Sequence, residues 1–249
     1  MIAKITSGAV VGLDAQPVEV EVDVANGLPS MIVVGLPDKA VQESRERVRS
    51  AIKSSGIALP AKRIVINLAP ADLRKEGPAY DFPMAVGMAV GLGVIEPVAS
   101  DWLFLGELSL DGELRRTNGI LPLVLMAKDK GFTRVILPAV NAPEASLIDG
   151  IDVIGIESFH QLIDYLHGDV VLEPFPSADF SALRIEQTYT HDLQLIRGQE
   201  QAKRALELAA AGGHNVLLSG PPGSGKTMLA RSVPSILPAL ALEEALEVS

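Results

Sequence analysis

Between residues 18 and 24 valine alternates with acid: Val18, Val20, Val22 and Val24 are separated by Glu19, Glu21 and Asp23. A period of two predicts a half-buried strand with one wet face. Residues 30–36 form a short apolar run, which reads as a more buried strand. From Asp38 the spacing changes. Val41, Val48 and Ile52 fall on one helical face with charges between them, and Gly56 offers a stop. Residues 63–68 return to strand, and the Ala- and Met-rich stretch 82–92 predicts a core helix. Within it Met84-Ala85-Val86 and Met88-Ala89-Val90 read as core rather than as ligand contacts, as do Trp102 and Phe104 at the start of the next strand. Residues 104–108 and 112–114 predict a hairpin turned at Leu110-Asp111-Gly112. A helix (119–130), a strand (134–137), a helix (142–148), a strand (152–156) and a helix (159–166) complete the series. This alternation predicts an α/β domain with mixed strand pairing over residues 1–168.

Residues 169–191 carry Pro174, Pro176, Ser177, Ser181 and Thr190 with no sustained period. They predict a linker, stiffened by its two prolines. A second unit, 192–249, opens with a helix at 198–211 that sets Ala202, Ala205, Leu206 and Ala209 on one face. A buried strand at 215–218 (Asn-Val-Leu-Leu), a Gly-rich loop and a helix at 228–233 are predicted to follow.

Composition narrows the function. At 249 residues the chain is long enough for a sizeable core, and 21 basic against 31 acidic residues leave a net charge of −10. That balance excludes a general nucleic-acid coat but not a local basic face. Cysteine is absent, which removes disulfides, thiolate metal sites and Cys nucleophiles and suits a reducing compartment. His160, His167, His191 and His214 show no pairing at metal spacing, with each other or with an acid, so no protein-only metal site is expected. The first residues lack a signal-peptide layout, and the longest uncharged apolar run, 82–95, is shorter than the ~18 residues of a membrane span. A soluble, cytoplasmic protein with no membrane partner is the expectation.

The strongest chemical signal is Gly220-Pro221-Pro222-Gly223-Ser224-Gly225-Lys226-Thr227, which fits G-x-x-x-x-G-K-[ST] at every position. Glycines let the backbone turn so that successive N–H groups point inward at a polyphosphate. Lys226 is expected to reach the β- and γ-phosphates of ATP, and Thr227 Oγ to ligate Mg2+. Met228, which carries the loop into its helix, completes that expected set. The competing reading, a Gly-rich turn with an incidental lysine, does not account for the full pattern. Hydrolysis additionally needs an acidic residue on another strand and usually an arginine from a neighbouring subunit. The 22 residues after Thr227 contain Glu243, Glu244 and Glu247, which read as a surface helix, and no apolar strand ending in paired acids. The expectation is a fragment that stops in mid-domain, binding ATP without turning it over.

Residues leading into the loop carry a resemblance. Asp192-Leu193-Gln194-Leu195-Ile196-Arg197-Gly198-Gln199, then Ala202-Lys203-Arg204-Ala205-Leu206 and Gly212-Gly213-His214-Asn215, are similar to the AAA+ modules of magnesium-chelatase-type ATPases. Gly35-Leu36-Pro37, Arg47-Val48-Arg49-Ser50-Ala51, Asn67-Leu68-Ala69-Pro70-Ala71-Asp72 and Tyr80-Asp81-Phe82-Pro83 resemble the ComM/YifB family, so that the likeness covers nearly the whole chain. It implies a homo-hexameric AAA+ motor acting on DNA in natural transformation, promoting branch migration. It also implies that Ile196, Gly198 and Gln199 lie near the adenine.

The first domain further resembles the proteolytic domain of Lon, of the ribosomal protein S5 domain 2-like fold, and the carboxy-terminal domain of RadA. The matching segments are Leu105-Gly106-Glu107-Leu108-Ser109-Leu110-Asp111-Gly112-Glu113-Leu114-Arg115 and Arg134-Val135-Ile136-Leu137-Pro138. Lon joins a Ser nucleophile to a Lys base. Its serine follows Lys-Asp-Gly-Pro, and here Lys75-Glu76-Gly77-Pro78 is followed by Ala79; its lysine follows Gly-Gly-Leu, and here Asn118-Gly119-Ile120 is followed by Leu121. Both catalytic groups are missing, so the resemblance implies the fold without peptidase activity. The expected architecture is thus a Lon-protease-like α+β domain lacking its dyad, followed by the start of a P-loop AAA+ domain.

Residues 37–75 hold nine cations (Lys39, Arg45, Arg47, Arg49, Lys53, Lys62, Arg63, Arg74 and Lys75) against four acids (Asp38, Glu43, Glu46 and Asp72). Arg45, Arg49 and Lys53 recur at i, i+4 on one helix face. Contact with DNA phosphates and a merely solvated face are the two readings, and the absence of aromatics argues against base stacking. For the whole protein, a DNA motor stands beside a chelatase-type ATPase remodelling a protein partner, with the first domain as an oligomerisation platform.

Overall fold

The computed structural model describes residues 2–12, 14–75, 77–177, 189–238 and 244. The chain divides into two compact units, 1–179 and 180–248. In the first, the elements are β1 (Ile2–Val11), β2 (Asp14–Ala25), β3 (Ser30–Val34), α1 (Lys39–Ser54), β4 (Arg63–Ala69), α2 (Asp81–Gly91), β5 (Trp102–Phe104), β6 (Glu107–Leu108), β7 (Leu114–Arg115), α3 (Ile120–Asp129), β8 (Arg134–Pro138), α4 (Ala142–Ala145), β9 (Asp152–Ile156) and α5 (Phe159–His167). Seven strands form one sheet in the order β3-β4-β2-β1-β5-β8-β9, and β6 pairs with β7 apart from it. Pairing is antiparallel for β1 with β2 and β2 with β4, and parallel elsewhere in the sheet. This is a mixed α/β fold with a mostly parallel sheet.

The period-two stretch behaves as its pattern predicts. Val18, Val20 and Val22 are fully buried in the core, while Lys4 on the neighbouring strand pairs with Glu19 at 2.9 Å and Glu21 at 3.2 Å. Helix α1 starts where Asp38 Oδ1 accepts the N–H of Val41 at 2.7 Å, an N-cap that satisfies an otherwise orphaned donor. It buries Val41, Val48, Ala51 and Ile52. Helix α2 is buried at every position but Gly91. It lies so close to the sheet that a Cβ on Gly87 would sit 2.6 Å from Val22 Cγ2. At its start the Phe82 ring meets Phe104 at 6.0 Å and Phe159 at 6.5 Å, closing the core between sheet and helices.

Several expectations are corrected. Residues 30–36 are not a more buried strand: β3 is the sheet's edge, and Ile32 and Val34 are 39% and 40% exposed. Only Met31 and Val33 of β3 turn toward the core, because among the described residues β3 has a neighbour on one side and no helix over its other face. The helix predicted to reach residue 148 ends at Ala145, where the Ser146 hydroxyl donates to Pro143 O at 2.9 Å. Phe104 belongs to β5 rather than to the hairpin. The segment after α5 does not leave the sheet at 169. Leu172 packs on the core and Phe175 N donates to Val153 O at 2.7 Å, so this stretch still touches the first unit at β9. Residues 178–188 of the predicted linker, Ser181 among them, lie outside the described residues.

In the second unit a 3₁₀ turn (Leu193–Leu195) precedes α6 (Glu200–Gly212) and α7 (Lys226–Ser232), and a second 3₁₀ turn covers Val233–Ser235. Leu193, Ile196, Leu206 and Leu229 form its core. Helix α6 begins two residues later than predicted, since Gly198 and Gln199 both hold left-handed backbone (φ 71° and 60°). Ala205 is exposed, so only Ala202, Leu206 and Ala209 of the predicted stripe turn inward. The predicted strand 215–218 is absent, and Leu217 is 92% exposed. A buried parallel strand needs ladder partners, and none of the described residues of this unit supplies one. Glu244 is exposed, and Glu243 and Glu247 lie outside the described residues. Among the described residues no helix is long and apolar enough to cross a membrane.

Candidate functional site

The loop of residues 220–225 is set by short-range geometry. Gly223 and Gly225 adopt φ 79° and 84°, which side chains with a Cβ disfavour, and Ser224 N donates to Pro221 O at 3.4 Å. Helix α7 follows directly from Gly225, and the first N–H groups of any helix have no acceptor within it. Lys226 folds back over the loop. Its Nζ donates to Gly220 O at 2.8 Å, to Pro221 O at 2.7 Å and to Ser224 Oγ at 3.2 Å. No carboxylate among the described residues pairs with it. The ammonium is therefore held by neutral oxygens in the mouth of the loop, an arrangement that a polyphosphate, with full negative charge, can replace.

Other predicted site residues are distributed unevenly. Thr227 and Met228 are exposed beside the loop. Gln199 is brought to it, its Nε2 donating to Ser224 O at 3.4 Å. Gly198 supplies the left-handed turn ahead of Gln199. Ile196 is buried in the unit's small core, so its side chain faces Leu206 and Leu229 rather than open solvent.

In the first unit, a cavity of about 530 Å³ lies where the resemblance puts the peptidase centre. Ala79 and Asn118 line it together with Val10, Arg74, Tyr80 and Leu123. Ala79 offers no nucleophile, and Leu121 is buried. A lysine does stand nearby in sequence, but it is sealed: Lys75 is fully buried with its Nζ donating to Pro70 O, and burial pushes its pKa down. Its main chain also bonds Leu36 and Asp38. Lys75 is thus sealed in the fold and is not among the residues that line the cavity.

Of the nine cations between residues 37 and 75, two are withdrawn from the surface. Lys75 is one. Arg47 is the other, with Nε 2.7 Å and Nη2 3.2 Å from the carboxylate of fully buried Asp81 and Nη2 2.8 Å from Ser44 Oγ. Burial pushes the Asp81 carboxyl above its ordinary value, against the hydrogen bonds from Arg47 and Ser44. No sequence signal marks this pair, whose members are 34 residues apart. Arg45, Arg49 and Lys53 do share an exposed face. His160 corrects a further expectation. Its Nε2 lies 3.7 Å from Asp164 Oδ2 one helical turn on, although no cluster of three metal-binding side chains exists among the described residues.

Comparison with known proteins places both units. A family model described as subunit ChlI of Mg-chelatase matches residues 20–141, and one described as magnesium chelatase, subunit ChlI, matches residues 192–249. The uncharacterized protein YifB of Escherichia coli is 43% identical over 240 residues, covering 96% of this chain and 46% of its own. Competence protein ComM of Haemophilus influenzae is 40% identical over 253 residues, covering 100% of this chain and 49% of its own. Lon protease 2 of Bacillus subtilis is 31% identical over 123 residues, 49% of this chain and 22% of that protein. The chain spans about half the length of the YifB and ComM relatives. A loop of the magnesium-chelatase type, joined to a Lon-like α/β unit without its nucleophile, assigns the chain to the YifB/ComM family of magnesium-chelatase-like, AAA+-type proteins.

Proposed function

We propose that residues 220–227 bind the phosphate chain of ATP together with Mg2+. The observation that carries this reading is the Lys226 ammonium ringed by Gly220 O, Pro221 O and Ser224 Oγ. On nucleotide binding Lys226 exchanges those oxygens for the β- and γ-phosphates, and the loop N–H groups turn to the same anion. Thr227 Oγ is the Mg2+ ligand, and Gly198 and Gln199 border the nucleotide. The metal supplies charge neutralisation at the phosphates when bound. Lys226→Ala is expected to weaken ATP·Mg2+ binding about tenfold to a hundredfold, the range for one charge-assisted contact of ~1.5–3 kcal/mol. Equal affinities in an equilibrium titration would remove the reading.

In the whole protein this site powers a ring, a homo-hexamer, that moves on DNA. The likeness to a competence protein supports that reading. The match to a chelatase subunit favours a second one, in which the same ATPase remodels a protein partner. Stimulation of the whole protein's ATPase by branched or single-stranded DNA is the expected result, and indifference to DNA selects the second reading.

A further inference from the structure

The two rims of the sheet are finished differently. Beside β9, Phe175 N donates to Val153 O, whereas β3 has no neighbour beyond β4 among the described residues. Ser30 N donates to Lys62 O, which directs the main-chain groups of Ser30, Ile32 and Val34 toward β4. By alternation those of Met31 and Val33 face outward. Side chains alternate too: Met31 and Val33 pack on the core beside α1, and Ile32 and Val34 stand on the opposite face. Arg45 of α1 reaches over this rim, its Nη1 donating to Met31 O at 3.3 Å and its Nε to Gln42 O at 3.0 Å. Arg49 and Lys53 continue the exposed face at four-residue steps, and neither has an ion pair among the described residues. Just past the strand, Leu36 is 58% exposed and held at φ 54°, a conformation a bulky side chain disfavours. Lys75 N pins it by donating to Leu36 O at 3.5 Å.

We infer that this rim receives an extended protein segment in which acidic and β-branched apolar residues alternate. A strand added to β3 takes the outward groups of Met31 and Val33. Its own period of two then sends alternate side chains toward Arg45 on the α1 face, with Arg49 and Lys53 one and two turns further along that helix, and toward Ile32 and Val34 on the other. The first set is acidic and the second apolar, and Arg45 trades Met31 O for an incoming carboxylate. The same cations attract a nucleic-acid backbone, but two features favour a strand. Arg45 is already bonded to the rim's main chain, and Ile32 and Val34 offer nothing to a phosphodiester. This inference is independent of the ATP reading and of what the ring acts on.

Fluorescence-anisotropy titration of the whole chain tests it with three labelled probes. They are a peptide alternating glutamate and valine, a matched peptide alternating lysine and valine, and a DNA duplex. The glutamate peptide is expected to bind and the lysine peptide not, with no competition from the duplex. Arg49→Glu/Lys53→Glu is expected to weaken binding at least about tenfold without moving the urea midpoint. Val33→Pro, whose nitrogen faces outward, should abolish binding while leaving the β3–β4 ladder intact. Failure of the glutamate peptide to bind overturns the inference, because Arg45 then serves to blunt the rim. Equal binding of both peptides, displacement by the duplex, or indifference to these substitutions overturns it as well.

Discussion

The two units bury apolar surface to very different extents. In the first, a seven-stranded sheet and its helices enclose Phe82, Phe104 and Phe159, and α2 is covered almost entirely. In the second, Leu193, Ile196, Leu206 and Leu229 hold two helices together while Leu217 stands in solvent. Yet the second unit carries the loop with the clearest chemistry. This loop is fixed by contacts within a few residues of itself, through Gly223, Gly225 and Lys226, and so needs little core beneath it. A core such as the first unit's depends on partners far apart in sequence.

Phe82→Ala offers the hardest blow to this contrast. It removes a fully buried ring and should cost about 3–5 kcal/mol in urea unfolding of the first unit. A loss below about 1 kcal/mol would mean that the aromatic cluster does not anchor that core. Next in size is the response to ligand. ATP·Mg2+ at about 100 times its Kd should stabilise the second unit by about 2.7 kcal/mol. Hydrogen exchange is expected to slow in α6 and α7 and to stay unchanged in α2; slowing in α2 as well would show the units to be one cooperative body. Leu229→Ala, one of four core residues, should cost the second unit about 2 kcal/mol and leave the first unit's transition in place. A shift of both transitions would break the comparison.

The smallest effect sharpens it at a single carboxyl. The Ser109 hydroxyl donates to Asp111 and holds its pKa below the ordinary 3.8. A carboxyl depressed in the folded state adds stability above its unfolded pKa, and that addition disappears as pH falls through the folded value. Ser109→Ala should raise the Asp111 midpoint toward 3.8 in an NMR titration and weaken the acid dependence of the first unit alone.

Legibility in sequence follows the same division between local and distant causes. Strand β2 and helix α1 could be read because their periods are contiguous, and the loop at 220–227 because its glycines and lysine are adjacent. Residues 30–36 and 215–218 depart from their pattern for one reason: an apolar run states a preference for burial, but neighbouring strands decide whether it is met. Arg47 with Asp81, and Lys75 beneath Leu36, were invisible because their partners come together only through the fold. Ala79 stands in the sequence where the resemblance expects a nucleophile, and it lines the cavity together with Asn118.

The contact of Phe175 with β9, set against bare β3, bears on how copies of this chain can aggregate. A slab with two open margins can be extended without end, as in a fibre, whereas one with a capped margin can accept a single addition. Where Phe175 N donates to Val153 O, the β9 margin offers one main-chain acceptor fewer to such an addition than bare β3 does.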